Sequence, residues 1–437
     1  MRRPILTILL LLTVGTISAR NQAKAREAVL AESRGYYKEV FMDGGIALTS
    51  RRTLPAVDHL GMQMEFFSLS SEPTVIDTLK QQQIFCGYNE DTNGWLLYPD
   101  GAPRYRVIYV NGGAASKHSQ SLAEAGRESI RTFVGNGGSY VGTCAGAYFA
   151  TAGSKRNGKN VRFTDSYLHL WQGLMHSSHL RQRKTPIRIE KKSPLLRYYD
   201  FGRDNLVDSV RHNGGGYALG DLKGNLPEGT EVLGRYIFND NDKVQIDNQP
   251  AIWAYKGDEK SGRTIIVGSH PEGVKRGERL ELMAATLLYA MDGNAKPQTK
   301  GLLLPDTERA MCLKTNDNQP EFTRIGDKQY HHFEVVVPKR CKQLKIQLKG
   351  YKGEDNFDLT LCAKAREFAF ANNTQWRVDG TGCYKELTID NPKAGRWFVS
   401  VLCTTTVDNY TDEYGTKYVG RTDVLNGVPY TIKVSLQ

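Results

Sequence analysis

The run Gly142-Thr143-Cys144-Ala145-Gly146 constrains what this chain can fold into more than any other feature. A cysteine between small residues can sit on a tight strand-to-helix turn, the arrangement called a nucleophile elbow. Upstream, Gly138-Ser139-Tyr140-Val141 reads as a short buried strand. Downstream, Ala145 to Ala150 can begin a helix whose small side chains permit close packing. The sulfur would then lie at a helix N-terminus, where the dipole and free N–H groups favour negative charge. The same pattern also fits a buried core cysteine.

A second segment adds chemistry to the elbow. Ile265-Ile266-Val267-Gly268 reads as a core strand running directly into Ser269-His270-Pro271-Glu272. Residues two apart at a strand end project to the same side, so Glu272 can orient the imidazole of His270. A thiol nucleophile needs a base for its proton and a third group to fix that base's tautomer. Cys144, His270 and Glu272 suit those three roles. A third piece is Val107-Ile108-Tyr109-Val110 followed by Asn111-Gly112-Gly113-Ala114. Glycines directly after a buried strand let the backbone turn sharply and aim N–H groups into a cleft. The amides of Gly113 and Ala145 could together form an oxyanion hole, although an ordinary strand-ending turn reads the same way.

Taken in order, Asn111-Gly112-Gly113, Ile130-Arg131-Thr132-Phe133-Val134, Gly137 to Tyr148, Asn213-Gly214-Gly215-Gly216 and Ser269-His270-Pro271-Glu272 resemble the family named after the N-terminal domain of biotin-protein ligases. That family is similar to class I glutamine amidotransferases, whose catalytic Cys and His-x-Glu match Cys144, His270 and Glu272. The resemblance spans roughly residues 35 to 295. It implies a flavodoxin-like α/β fold with a parallel sheet and a thiol amidohydrolase site, with Asn111, Gly112, Asn213 and Gly214 lining the cleft. It does not imply biotin ligation, because no Gly-Arg-Gly-type adenylate loop is present. Asp43, after the opening strand Tyr37 to Met42, could face the same cleft or simply form a turn before Gly44-Gly45.

Arg2 and Arg3, an apolar stretch from Ile5 to Val14 and small residues around Ser18-Ala19 describe a secretory signal peptide over residues 1–19. The apolar run is short for a membrane span, so a secreted or periplasmic protein without stable membrane insertion is expected. At 437 residues, with 40% hydrophobic and 24% charged residues, the chain suits two or three globular domains. The formal net charge of +11 is diffuse. Lys155-Arg156, Lys159, Arg162 and Arg181 to Lys184 read as solvated loops, and no nucleic-acid recognition motif accompanies them.

Along residues 35–295, strands are expected to alternate with helices, including one through Leu122, Gly126, Ile130, Phe133 and Val134 and a last one from Leu280 to Met291. Ala295 to Lys300 reads as a linker to a separately folding part. Beyond it the period becomes two: Leu344, Ile346 and Leu348 alternate with Lys345, Gln347 and Lys349, as do Tyr430, Ile432, Val434 and Leu436 with polar neighbours. With Phe357 to Cys362, Lys385 to Asp390 and Arg396 to Cys403, these suggest an all-β sandwich over residues 301–437. The segments Phe357 to Leu361 and Ile389 to Val401 resemble the pre-peptidase C-terminal domain of secreted bacterial hydrolases, an accessory module. Five cysteines fall near or in this part, and Cys362 with Cys383 is the favoured disulfide. His169, His176 and His179 lack an acidic or thiol partner at metal spacing, Asp355 and Asp358 read as turn carboxylates, and no metal or cofactor is expected.

These features point to a secreted thiol hydrolase acting on a small-molecule or peptide amide through an acyl-enzyme. The alternatives are a non-catalytic ligand- or glycan-binding protein and a thiol redox protein. Oligomeric state is not readable from the residues.

Overall fold

A computed structural model describes residues 19–31, 35–43, 53–67, 94–156, 161–240, 244–314, 319–412 and 415–437. The expected signal peptide up to Ser18, Gly44, Gly45, Cys86 and Lys159 lie outside them. No helix among the described residues is long and apolar enough to cross a membrane.

The strand Tyr105–Val110 is buried along its whole length, as a strand covered on both faces must be. Its side chains alternate between two cores. Ile108 and Val110 pack with Tyr140, Ile266 and the Leu122, Ile130 and Phe133 face of helix Ala115–Gly135. Val107 and Tyr109 pack with Val141, Ile265, Val267 and helix Glu278–Asp292. Each fully buried aliphatic or aromatic side chain here contributes about 1.5–3 kcal/mol. Both helices are those expected from the periodicity.

The protein is mixed α/β. Among the described residues its largest sheet has eleven strands, of which five are parallel, in the order Met64–Phe67, Lys38–Asp43, Tyr105–Val110, Ser139–Thr143 and Thr264–Val267. Strands Pro250–Tyr255, Glu231–Tyr236, Arg181–Ile189 and Leu206–Asn213 continue it antiparallel. This corrects the expected helix–strand alternation. Between Thr151 and Thr264 the described residues form strands and short 3-10 turns, with no α-helix. Segments such as Thr185-Pro186-Ile187-Arg188-Ile189 bury every second residue, a period that a helix cannot accommodate. The sheet also curls. Its last strand, Leu206–Asn213, returns to the segment leaving Thr264–Val267, where Arg211 bridges His270.

In the C-terminal part, the expected strands appear as Leu359–Ala365, Lys385–Asp390, Gly395–Cys403, Gln343–Gly350 and Tyr430–Leu436. They belong to a five-stranded and a four-stranded sheet whose apolar faces, including Val399 and Leu361 on one and Ile346 and Val434 on the other, share a core. That core runs on into Tyr37, Phe41 and Tyr105 of the large sheet. Polar contacts also tie the parts together. Arg104 and Asp327 form a buried ion pair at 3.0 Å, and Glu65 accepts from Lys38 at 2.7 Å and Tyr418 at 2.6 Å. The hairpin Asn409–Asp412 and Gly415–Tyr418 adds to the edge of the large sheet through Phe67 and Gly415.

The expected Cys362–Cys383 disulfide is not formed, and both thiols are free. Leu361 and Ala363 face the shared core while Cys362, between them, points to the other face of its strand. Cys383 lies within that core and donates to Phe357 O at 3.3 Å. Asp355 and Asp358 accept from the amides of Cys383 and Gly382.

Candidate active site

Cys144 leaves strand Ser139–Thr143 with φ 49° and ψ −101°, a conformation that costs a non-glycine residue about 1–3 kcal/mol. The neighbouring glycines make the turn possible. A Cβ on Gly142 would lie 2.5 Å from Gly146 O, and one on Gly146 would lie 2.1 Å from Val110 O. Backbone bonds hold the turn: Cys144 N donates to Val267 O at 3.0 Å and Gly146 N to Asn111 O at 3.1 Å. The helix that follows spans only Ala145–Phe149 before strand Thr151–Lys155 begins. Its dipole is therefore small, and the electrostatics at the sulfur come chiefly from side chains.

Val267 pairs in parallel with Thr143, so the segments beyond both strands emerge side by side. His270 N donates to Arg211 O at 2.8 Å. Its ring Nδ1 meets Glu272 Oε1 at 2.7 Å, and Cys144 lies close enough to act on the ring's charge. Burial alone would depress the imidazole's pKa, but its interactions with Cys144 and Glu272 outweigh it and raise the value to about 10. The ring is thus cationic at neutral pH. Glu272 Oε2 is buried with no hydrogen-bond partner among the described residues.

The loops expected at the cleft surround this trio. Asn111 is buried at the end of Tyr105–Val110, and a Cβ on Gly112 would lie 2.5 Å from His270 Cε1. Gly113 has φ 145°. Its amide and that of Ala145 donate to no backbone acceptor among the described residues. Asn213 O lies 3.9 Å from the Cys144 sulfur. Gly214, with φ 87°, leads to Gly215, where a Cβ would lie 1.9 Å from Gly268 O. Asp43 ends its strand opposite Val110, which puts its backbone at the carboxyl edge of the sheet. His169 bonds to Thr164 O at 3.0 Å, the rings of His176 and His179 are 6.3 Å apart, and no metal-ligating group forms among the described residues.

Two residues escaped the sequence reading. His212 is fully buried, bonded through Nε2 to Thr185 Oγ1 at 2.6 Å. Burial and the charge of His270 lower its pKa to about 4. Tyr236, whose ring lies 5.0 Å from His212, donates to Gly216 O at 2.9 Å. The alternation Val210-Arg211-His212 carried the signal, since it places the histidine on the buried face of its strand.

Residues 102–315 match the family described as biotin-protein ligase, N terminal. Over these residues the chain resembles that family. The biotin-protein ligase N-terminal match begins just before strand Tyr105–Val110 and includes Cys144, His270 and Glu272. No curated protein matches the chain. Among solved structures, a glutamine amidotransferase is similar at 17% identity and TM-score 0.32, covering 56% of this chain and 98% of its own. The pre-peptidase C-terminal domain of a collagenase from Bacillus anthracis is similar at 13% identity and TM-score 0.18, covering 32% of this chain and 100% of its own.

Proposed function

We propose that this protein is a secreted thiol hydrolase that cleaves an amide or related acyl bond of a small molecule or peptide. In this reading the first part is a flavodoxin-like, glutamine amidotransferase-like domain over residues 35–295. The second, residues 301–437, is a β-sandwich accessory module. Residues 1–19 direct secretion. The observation that carries the reading is the imidazole of His270, bonded to Glu272 at 2.7 Å and raised in pKa by Cys144 and Glu272 together.

The sulfur of Cys144 attacks the carbonyl carbon, the C–S bond forms, and the carbonyl electron pair moves onto oxygen. The amides of Gly113 and Ala145 hold that oxyanion. His270, oriented by Glu272, passes its proton to the departing nitrogen as the C–N bond breaks. It then takes a proton from water, whose oxygen attacks the thioester; the C–S bond breaks, releasing the acid and restoring the thiolate beside the protonated ring.

Mass-spectrometric alkylation rates with iodoacetamide test the reading. Cys144 should label fastest among the thiols at near-neutral pH, and His270→Ala should slow it. Glu272→Gln should lower acyl turnover more than labelling, because the ring loses its orienting carboxylate. Equal labelling of Cys144 in the parent and His270→Ala proteins overturns the relay.

A further inference from the structure

The curl of the large sheet builds a row of cations beside the sulfur. Arg211 bridges His270 on one side and pairs with Lys184 on the other. Residues opposite one another on antiparallel strands project to the same face, one strand spacing of about 4.8 Å apart. His270, Arg211 and Lys184 therefore form a single transverse line. His212, next in sequence to Arg211, is fully buried, which fixes the side chain of Arg211 on the opposite, open face. Arg211 and Lys184 are both exposed. The next row on that face pairs Asn213, whose carbonyl lies 3.9 Å from the Cys144 sulfur, with Arg181.

No ion pair involves Arg211, Lys184 or Arg181 among the described residues, although most other arginines of the α/β part have a bonded partner. Glu272, the carboxylate adjoining this row, is engaged by His270. Adjacent cations repel unless an anion lies between them. A row of this kind that begins at the reacting group is a binding strip for negative charge. A guanidinium holds a planar oxyanion through two parallel N–H bonds.

We propose that Arg211, supported by Lys184, recognises a carboxylate on the acyl substrate about one strand spacing from the scissile carbonyl. The substrate class is thus an acidic amide. This inference rests on the thiol-hydrolase reading for the identity of the reacting group, and its test separates the two.

The experiment compares alkylation of Cys144 by N-iodoacetylglycine and by N-iodoacetylglycinamide, which differ only in the carboxylate. In each case the S–C bond forms as iodide leaves. The anionic reagent should label Cys144 about tenfold faster at low salt, and added salt should narrow the ratio. Arg211→Gln should bring the ratio to about one, Lys184→Gln should lower it partly, and Arg211→Lys should retain part of the preference. A ratio near one in the parent protein, or one unchanged in Arg211→Gln, overturns the proposal while leaving the relay intact. N-iodoacetylaminoethyl phosphate, if preferred over the carboxylate, reassigns the strip to phosphate and refutes the acidic-amide class. Should neither reagent label Cys144, the thiol reading fails. Calorimetry of N-acetylglycine and N-acetylglycinamide on Cys144→Ser then decides the strip alone: equal binding refutes it, and an N-acetylglycine preference lost in Arg211→Gln supports it.

Discussion

Gly112→Ala isolates the position of the His270 ring from every other property of the site. Gly112 has no left-handed backbone angle that would strain an alanine. The three atoms nearest the added carbon would all belong to the His270 ring, with Cε1 at 2.5 Å and Nδ1 at 3.3 Å. Ordinary carbon contact begins near 3.5 Å, so the ring must retreat by about 1 Å. A retreat of that size lengthens the 2.7 Å bond to Glu272 past useful range, or shifts the ring relative to Cys144. Losing one hydrogen bond to a charged group costs about 1.5–3 kcal/mol. Misplacing a reacting group by 1 Å can cost about 10²-fold in rate. Iodoacetamide labelling of Cys144 across pH, run beside thermal unfolding, measures both. The expected result is slower labelling with a shifted pH profile and a destabilisation no larger than the lost bond. A Gly112→Ala protein that labels Cys144 at the parental rate with the parental pH profile refutes the argument that Gly112 is kept small for the imidazole.

Asp327→Asn should destabilise the protein by about 3–5 kcal/mol in denaturant titration, because Arg104 is left as an unpaired buried charge; a loss below 1 kcal/mol contradicts this. For the same reason a chain ending at Ala295 should be less stable than the corresponding part of the full protein, since it loses Asp327 and Tyr418 as partners. Acid should weaken the fold between pH 6.5 and 4.5. The folded-state pKa values of His212 and His332 are lowered to about 4 and about 3 by burial, so the unfolded chain binds more protons there and stability falls as pH drops. His212 accounts for about 3 kcal/mol in full, complete only near pH 4. His270, with its raised pKa, stays protonated in the folded state across this window, so its stabilisation becomes complete below about pH 6.5, a small opposing slope at the top of the window, and is lost as pH rises through about 10. A Tm that stays flat from pH 6.5 to 4.5, or a profile that His212→Gln does not flatten, would contradict the assignment.

Local pattern carried what local geometry decides. Gly142, Cys144 and Gly146 announced a turn that only small flanking residues permit, and the structure puts backbone atoms where their side chains would be. Leu344, Ile346 and Leu348 announced a half-buried strand because side chains alternate faces with period two. The same alternation in Leu361-Cys362-Ala363 already argued against pairing Cys362 with a core thiol, an inference that bracketing one strand connection could not supply. What no local pattern holds is which strand lies beside which. The antiparallel run from Arg181 to Tyr255 folds around until Arg211 meets His270, and that closure brings His212 within electrostatic reach of the ring. Strand order depends on how whole faces are covered, so it is settled by burial over the entire sheet and not by the residues of any one strand.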